Sequence, residues 1–147
     1  MKQAYIFDID NTIADCTHRL CHIQKEPKDW ATFYDSIEDD APIKDVVRVA
    51  ESLQKAGYCI LLVTGRPTNI MIDTVAWVKW NTQLKIDGLF FRESGDHRPD
   101  TELKKEMYET QIKDNFEILG VFEDRDSVVK MWRSLGLTCF QVAEGNY

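Results

Sequence analysis

An α/β fold built on a parallel sheet is what this sequence predicts, and three observations carry the prediction. Short β-rich runs alternate with longer amphipathic stretches along the chain. One run, Cys59-Ile60-Leu61-Leu62-Val63, is apolar without interruption, as a strand covered on both faces must be. Three of the runs end in polar chemistry, at Asp8, at Thr64 and at Glu123-Asp124. Right-handed crossovers put the carboxyl ends of parallel strands on one side of a sheet, which is where ligands bind. Three chemically loaded strand ends therefore converge on one place.

In chain order, Tyr5-Ile6-Phe7 is a buried strand that runs into Asp8. Residues 42–56 carry Val46, Val49, Ala50 and Leu53 at helical spacing, with Pro42 near the start and Gly57 as the stop. The central strand at 59–63 follows and breaks at Gly65. Residues 68–80 form a second helix, 86–91 a third and weaker strand, and 100–112 a third helix with Asp100 as its N-cap. Residues 118–122 form a fourth strand, 126–135 a fourth helix closed by Gly136, and 138–142 a fifth strand. Residues 14–41 break the alternation and read as a small insert, or flap, after the first strand. Its acidic run Glu38-Asp39-Asp40 reads as solvated surface. Trp77, Trp80, Trp132, Phe90 and Phe91 fall at core spacing and read as packing. Trp30, Phe33 and Tyr34, in the insert, are candidates either for stacking on a base or for a core under the flap.

The 147 residues, 44% hydrophobic and 29% charged, are those of one globular domain, 1–147. A chain of this length buries about two-thirds of its unfolded surface without staples. No apolar run approaches the roughly 20 residues of a bilayer span, and the first residues do not have the form of a secretory signal. A cytoplasmic location and no membrane partner are expected. With 18 Lys and Arg against 25 Asp and Glu, the net charge is −7. Bulk charge thus argues against non-specific binding to nucleic acid or anionic lipid, while permitting a local basic pocket. The four cysteines (Cys16, Cys21, Cys59, Cys139) have no zinc-type spacing and read as reduced, mostly buried thiols.

Asp8-Ile9-Asp10-Asn11-Thr12 is the strongest motif. Two carboxylates, two residues apart at a strand end, are held in costly proximity unless a cation joins them. Mg²⁺, which takes few carboxylates together with water and phosphate oxygens, suits them better than Zn²⁺. Thr64-Gly65-Arg66 offers a hydroxyl and open backbone N–H groups to a phosphate oxygen, or Thr64 caps the next helix. Lys104 or Lys105 could bring a cation, and Glu123-Asp124 could complete a metal site with Asp8 and Asp10.

Taken in order, Asp8-Ile9-Asp10-Asn11-Thr12, Thr64-Gly65-Arg66, Lys104 and Glu123-Asp124 resemble the four motifs of haloacid-dehalogenase (HAD) superfamily phosphatases. The likeness extends through residues 91–100, 123–136 and 139–147 to the 3′-phosphatase domain of phage-type polynucleotide kinase/phosphatases, and is weakest over the insert. No GxxxxGK[ST] phosphate loop occurs. The resemblance implies a three-layer Rossmann-like fold with a central parallel five-stranded sheet. It implies Asp8 as nucleophile, Asp10 as acid and base, Thr64 on a phosphoryl oxygen and Lys104 as charge balance. It implies Mg²⁺ on Asp8, the Asp10 main-chain carbonyl, and Glu123 or Asp124, where relatives often carry a second Asp at the position of Glu123. Arg19, Gly65, Arg66, Arg92 and Arg125 are implied in substrate contact or scaffolding, whereas Arg98 reads as an ion pair with its acidic neighbours. Asn11 stands where many relatives have Gly, and Asn tolerates left-handed backbone. The expected substrate is a phosphorylated nucleic-acid end, with free nucleoside monophosphates as the alternative; a homo-oligomer is left open. A non-catalytic module of the same fold and a receiver-type phospho-acceptor are the non-enzymatic alternatives, and the complete motif set together with Asp10 opposes both.

Overall fold

The computed structural model describes residues 1–147. Its elements follow as β1 (Lys2–Phe7), β2 (Ala14–Asp15), α1 (Trp30–Tyr34), β3 (Ala41–Pro42), α2 (Lys44–Lys55), β4 (Cys59–Pro67), α3 (Met71–Asn81), β5 (Gly88–Arg92), α4 (Asp100–Met107), β6 (Phe116–Glu123), α5 (Asp126–Ser134) and β7 (Cys139–Gln141). Five strands form one sheet in the order β5-β4-β1-β6-β7, and every neighbouring pair is parallel.

The pleat sorts the strand residues onto two faces. Ala4, Ile6, Leu61, Val63 and Val121 pack with Leu103 and Met107 of α4 and with Val128, Val129 and Trp132 of α5. Phe7, Ile60 and Leu62 pack with Val47 and Ala50 of α2 and with Trp77 and Val78 of α3. Helices thus cover both faces, which gives the three layers. Each face buries a separate apolar cluster, so the strand ends, not the sheet faces, remain for chemistry. α2 and α5 stop at glycines: Gly57 and Gly136 stand at φ of +102° and +83°, where a side chain would be strained.

The five main strands and four longer helices lie where the sequence places them, with several differences. α2 begins at Lys44, two residues after Pro42. The second helix opens with a 3₁₀ turn over Thr68–Ile70. The third continues past Met107 as a π turn over Tyr108–Ile112. Asp100 does not cap α4: Pro99 precedes the helix, and Asp100 is its first residue. The insert contributes an unexpected antiparallel pair, β2 with β3, which ties its two ends together. Trp77, Trp132 and Phe91 are buried, and Phe90 packs against one of the clusters. Trp80 is not core: it is 88% exposed, on the side of α3 turned from the sheet. Cys16 and Cys139 are buried, but Cys59 is half-buried and Cys21 exposed, and none is paired. No helix is long and apolar enough to cross a membrane.

Candidate active site

β1 ends by passing the backbone N–H of Asp8 to the carbonyl of Phe122, 3.0 Å away on β6. The chain then closes a tight loop in which Thr12, Ile13 and Ala14 all donate to the carbonyl of Ile9. Asn11 takes φ of +60° at its tip, a geometry Asn tolerates better than most residues. Ile9 and Ile13 are buried, so the loop is anchored by its apolar residues while Asp8, Asp10 and Thr12 turn towards the strand ends.

Two polar clusters result. In the first, Lys104 of α4 donates to Asp8 Oδ1 at 2.8 Å and to Glu123 Oε2 at 2.9 Å. Thr12 Oγ1 donates to Asp8 Oδ2 at 3.1 Å and reaches Asp124 Oδ1 at 3.5 Å. Asp8, Thr12, Lys104, Glu123 and Asp124 are all buried. Burial alone would depress the Lys104 ammonium, but Asp8 and Glu123 outweigh it and hold its pKa above the usual lysine range. Burial, reinforced by the charge of Asp8, pushes Glu123 well above the usual carboxylate range and Asp124 up to about 7. One lysine facing three carboxylates leaves the cluster short of positive charge.

That shortage is what a dication would fill. Oxygens of Asp8, Glu123 and Asp124 lie within 4.8 Å of one another. The donor set is all oxygen, which suits Mg²⁺ and not a soft metal. Within the trio, Glu123 already accepts from Lys104 on Oε2 and from the Asp124 N–H on Oε1. Asp124 accepts from the Tyr147 hydroxyl on Oδ2 and keeps Oδ1 only loosely engaged with Thr12.

The second cluster surrounds Asp10. Arg66 Nη2 donates to Asp10 Oδ1 at 2.7 Å, and Arg19 Nη2 does so at 2.8 Å. Burial would raise the Asp10 pKa, yet Arg66 and then Arg19 lower it to about 2. Behind them, Asp40 accepts from Arg19 Nε at 2.8 Å and from Arg19 Nη2, lies 3.5 Å from Arg66 Nη2, and pairs with His18 Nε2 at 2.7 Å. Arg19 also donates to the Phe33 carbonyl and stacks over the Phe33 ring, 4.5 Å from its centroid. Asp40 is thus buried, not solvated surface: the end of the acidic run folds inward to balance two buried guanidinium groups. Nothing local distinguishes Asp40 from Glu38 and Asp39; only its partners on β4 and in the insert do.

β4 carries Thr64-Gly65-Arg66 across an irregularity in its pairing with β5, between Val63 and Pro67. A bulge of this kind re-aims side chains. Here the Arg66 N–H donates to Thr64 Oγ1 at 3.1 Å, so the hydroxyl serves its own strand end and caps no helix. Arg92 donates to the Gly65 carbonyl at 2.9 Å and pairs with Asp100. Arg125 approaches Asp100 Oδ2 at 3.4 Å and donates to the Tyr147 carbonyl at 2.7 Å. Asp100 therefore joins the two arginines, a role beyond the N-cap reading. Gly65 is required for this closeness, because a Cβ there would stand 2.6 Å from Asp100 Oδ1. Gly65→Ala is expected to push Asp100 and Arg92 apart. Its effect should be a loss of about 1–3 kcal/mol in thermal unfolding from overpacking, with weaker substrate binding alongside; an unchanged melting temperature would show that Asp100 moves freely.

All the residues named from sequence, Asp8, Asp10, Arg19, Thr64, Gly65, Arg66, Arg92, Lys104, Glu123, Asp124 and Arg125, thus lie at one end of the sheet. Lys105 is on the surface beside Glu109. Arg98 pairs with Asp96 and Glu106 at the surface. Sequence reasoning missed the roles of Thr12, Asp40, Asp100 and Tyr147, each of which has at least one partner more than twenty residues away in the chain. His18, which shows no partner in sequence, finds Asp40.

The model of the family described as the Polynucleotide kinase PNKP phosphatase domain matches residues 2–147. A putative bifunctional polynucleotide kinase/RNA ligase of Autographa californica nuclear polyhedrosis virus is 28% identical over 145 residues, covering 95% of this chain and 19% of that protein. The structure of a Pnkp1/Rnl/Hen1 complex superposes with a TM-score of 0.85 at 27% identity, over 100% of this chain and 48% of its counterpart. The Class C acid phosphatase of Bacillus anthracis, at 15% identity and a TM-score of 0.72, shares the fold. The chain thus spans less than half the length of the polynucleotide kinase relatives it matches. With its motifs assembled at one end of a HAD-type sheet, the chain belongs to the PNKP phosphatase-domain family and is a HAD-type phosphatase.

Proposed function

We propose that this phosphatase removes 3′-phosphates from polynucleotide ends, with Mg²⁺ and through an aspartyl-phosphate on Asp8. One observation carries the reading: Asp8 sits at the end of β1 with Oδ1 on Lys104 and Oδ2 on Thr12, while Asp10, two residues on, is held by two arginine forks.

An Asp8 oxygen attacks phosphorus as the bond to the leaving oxygen breaks. Lys104 balances the charge gathered on Asp8 and the phosphoryl group, and Thr64 and the Gly65 backbone meet a phosphoryl oxygen. Asp10 is ionised in the substrate-free site; the arriving phosphate dianion opposes Arg19 and Arg66 and raises its proton affinity. It takes up a proton from solvent as the substrate binds, gives that proton to the leaving alkoxide and, ionised again, takes one from the water that hydrolyses the acyl-phosphate. Mg²⁺, held by Asp8, Asp124 and the Asp10 main-chain carbonyl, would neutralise phosphoryl oxygens. Glu123, already engaged on both oxygens, orients Lys104 from behind.

The polynucleotide substrate is supported by the family and by the relative found in a Pnkp1/Rnl/Hen1 RNA repair complex. The net charge of −7 favours a second reading, a phosphatase of free nucleoside monophosphates. Phosphate release from a 3′-phosphorylated oligonucleotide and from nucleoside monophosphates, with Mg²⁺ and with EDTA, separates the two. The oligonucleotide is expected to react faster, and its kcat/KM to fall steeply from about 50 to about 200 mM salt. A faster monomer reaction with little salt dependence would establish the second reading. Undiminished release in EDTA would overturn the metal requirement.

A further inference from the structure

The insert and the loop between β5 and α4 enclose a cavity of about 780 Å³. Its size falls within the ~300–1,000 Å³ of sites that hold drug-sized ligands, and a phosphoryl group alone would leave most of it empty. Trp30 and Tyr34 line one side, their rings 26° from parallel with centroids 6.1 Å apart. Phe33 packs edge-on to Trp30 and is itself buried with Cys16 and Ile23. The aromatic pair is therefore braced from within, while Trp30 keeps 39% of its surface exposed. Lys28 stands 5.8 Å from the centre of the Trp30 ring.

The cavity is also locally cationic. Lys28, Arg92, Arg98 and Arg125 line it against Asp35, Asp96 and Asp100, in a chain that is otherwise strongly acidic. And it adjoins the reacting groups. Arg125 follows Asp124 directly, and Arg92 holds the carbonyl of Gly65, next to Thr64. Tyr34 lies close enough to Asp10 and Asp100 that, after burial, their charges push its hydroxyl above the usual tyrosine range. Whatever is attached to a phosphate at Asp8 has this cavity beside it.

We propose that the cavity is a nucleoside subsite: it takes the nucleoside bearing the scissile phosphate, with the base stacked on the Trp30–Tyr34 pair and the phosphate on the nucleoside's other side met by Lys28. The proposal rests on the nucleic-acid-end reading above. A free nucleotide and a polynucleotide end share this chemistry, so both are used as probes.

Kinetics are compared on glycerol 2-phosphate, a nucleoside 3′-monophosphate and a 3′-phosphorylated oligonucleotide, and binding of the matching 3′-hydroxyl oligonucleotide is followed by fluorescence anisotropy. Stacking of one base predicts that Trp30→Ala lowers kcat/KM on both nucleosidic substrates by roughly tenfold, mainly through KM, and weakens oligonucleotide binding in step. Selectivity over glycerol 2-phosphate falls by the same factor, and Trp30→Phe recovers part of it. Lys28→Glu weakens the oligonucleotide more than the monophosphate and flattens its salt dependence. Trp30 is partly exposed, so both variants are expected to melt close to the wild type. If Trp30→Ala keeps the wild-type selectivity and binding, the subsite is refuted although the nucleic-acid reading stands. If the wild type shows no preference for nucleosidic substrates over glycerol 2-phosphate, both fail. A loss confined to the oligonucleotide would place the stacked base one nucleotide further in and overturn the terminal-nucleoside assignment.

Discussion

Asp8→Asn is expected to abolish phosphate release on every substrate, by at least ~10⁴-fold, because an amide oxygen does not form the covalent intermediate. The same substitution is expected to stabilise the metal-free protein. Asp8 is the first charge, after burial itself, that holds Glu123 and Asp124 above the usual carboxylate range. Removing it relieves that repulsion, while an Asn keeps an oxygen for one of the two donors and Lys104 keeps Glu123. A gain of about 1 kcal/mol, a few degrees in melting temperature, is the expected size. The rise in melting temperature that Mg²⁺ gives the wild type should shrink in the variant. Calorimetry with and without Mg²⁺, beside a phosphate-release assay, reads all three effects. Appreciable turnover in the variant would remove Asp8 from the role of nucleophile; a lower metal-free melting temperature would show that Lys104 needs Asp8 more than Glu123 and Asp124 resent it.

Asp10→Asn acts in the opposite direction on stability. Arg19 and Arg66 are buried and share only Asp10 and Asp40 as carboxylate partners. Without the Asp10 charge, two buried guanidinium groups face one carboxylate, and breaking such a pair costs about 3–5 kcal/mol. Turnover should fall by about 10²–10⁴-fold, the usual range for losing an acid–base group. Mg²⁺ binding should survive, since the proposed contact at this residue is its carbonyl. The pH dependence follows the same logic. The Asp10 pKa is lowered from 3.8 to about 2 in the folded protein. Its ionised form therefore contributes stability that is fully present above pH ~4 and is lost as pH falls through about 2, roughly 2 kcal/mol in all. Acid denaturation of the wild type should show this loss, and that of Asp10→Asn should not. Near-normal turnover in the variant would refute the acid–base role. Retained stability would mean that Asp40 alone can balance both arginines.

The sheet was legible because its signals are local. The Cys59–Val63 run, the apolar residues at helical spacing before Gly57, and the acids after Phe7 and Phe122 each reflect which residues a buried strand or a covered helix face accepts. The three loaded strand ends, Asp8, Thr64 and Glu123-Asp124, were legible for the same reason: parallel topology alone places them together. The insert was not. Residues 14–41 hold one short α-helix, 3₁₀ turns over Thr17–His22 and Ile37–Asp39, and a two-residue strand pair, so their conformation follows from what they pack against and not from periodicity.

What the sequence by itself determined is thus the parallel α/β architecture, the order of its main elements and the identity of the groups at the strand ends, because hydrophobic period and motif order are properties of the chain taken in sequence. Only the tertiary structure decided which charges meet. It turned Asp40 inward onto Arg19 and Arg66, joined Arg92 and Arg125 through Asp100, and put Lys104 between Asp8 and Glu123. It also left Trp80 in solvent while keeping Trp77 in the core. A charge's partner, and the face a helix turns inward, are fixed by neighbours dozens of residues away. In a buried site a charge without such a partner carries a cost comparable to a large share of the stability of a whole domain.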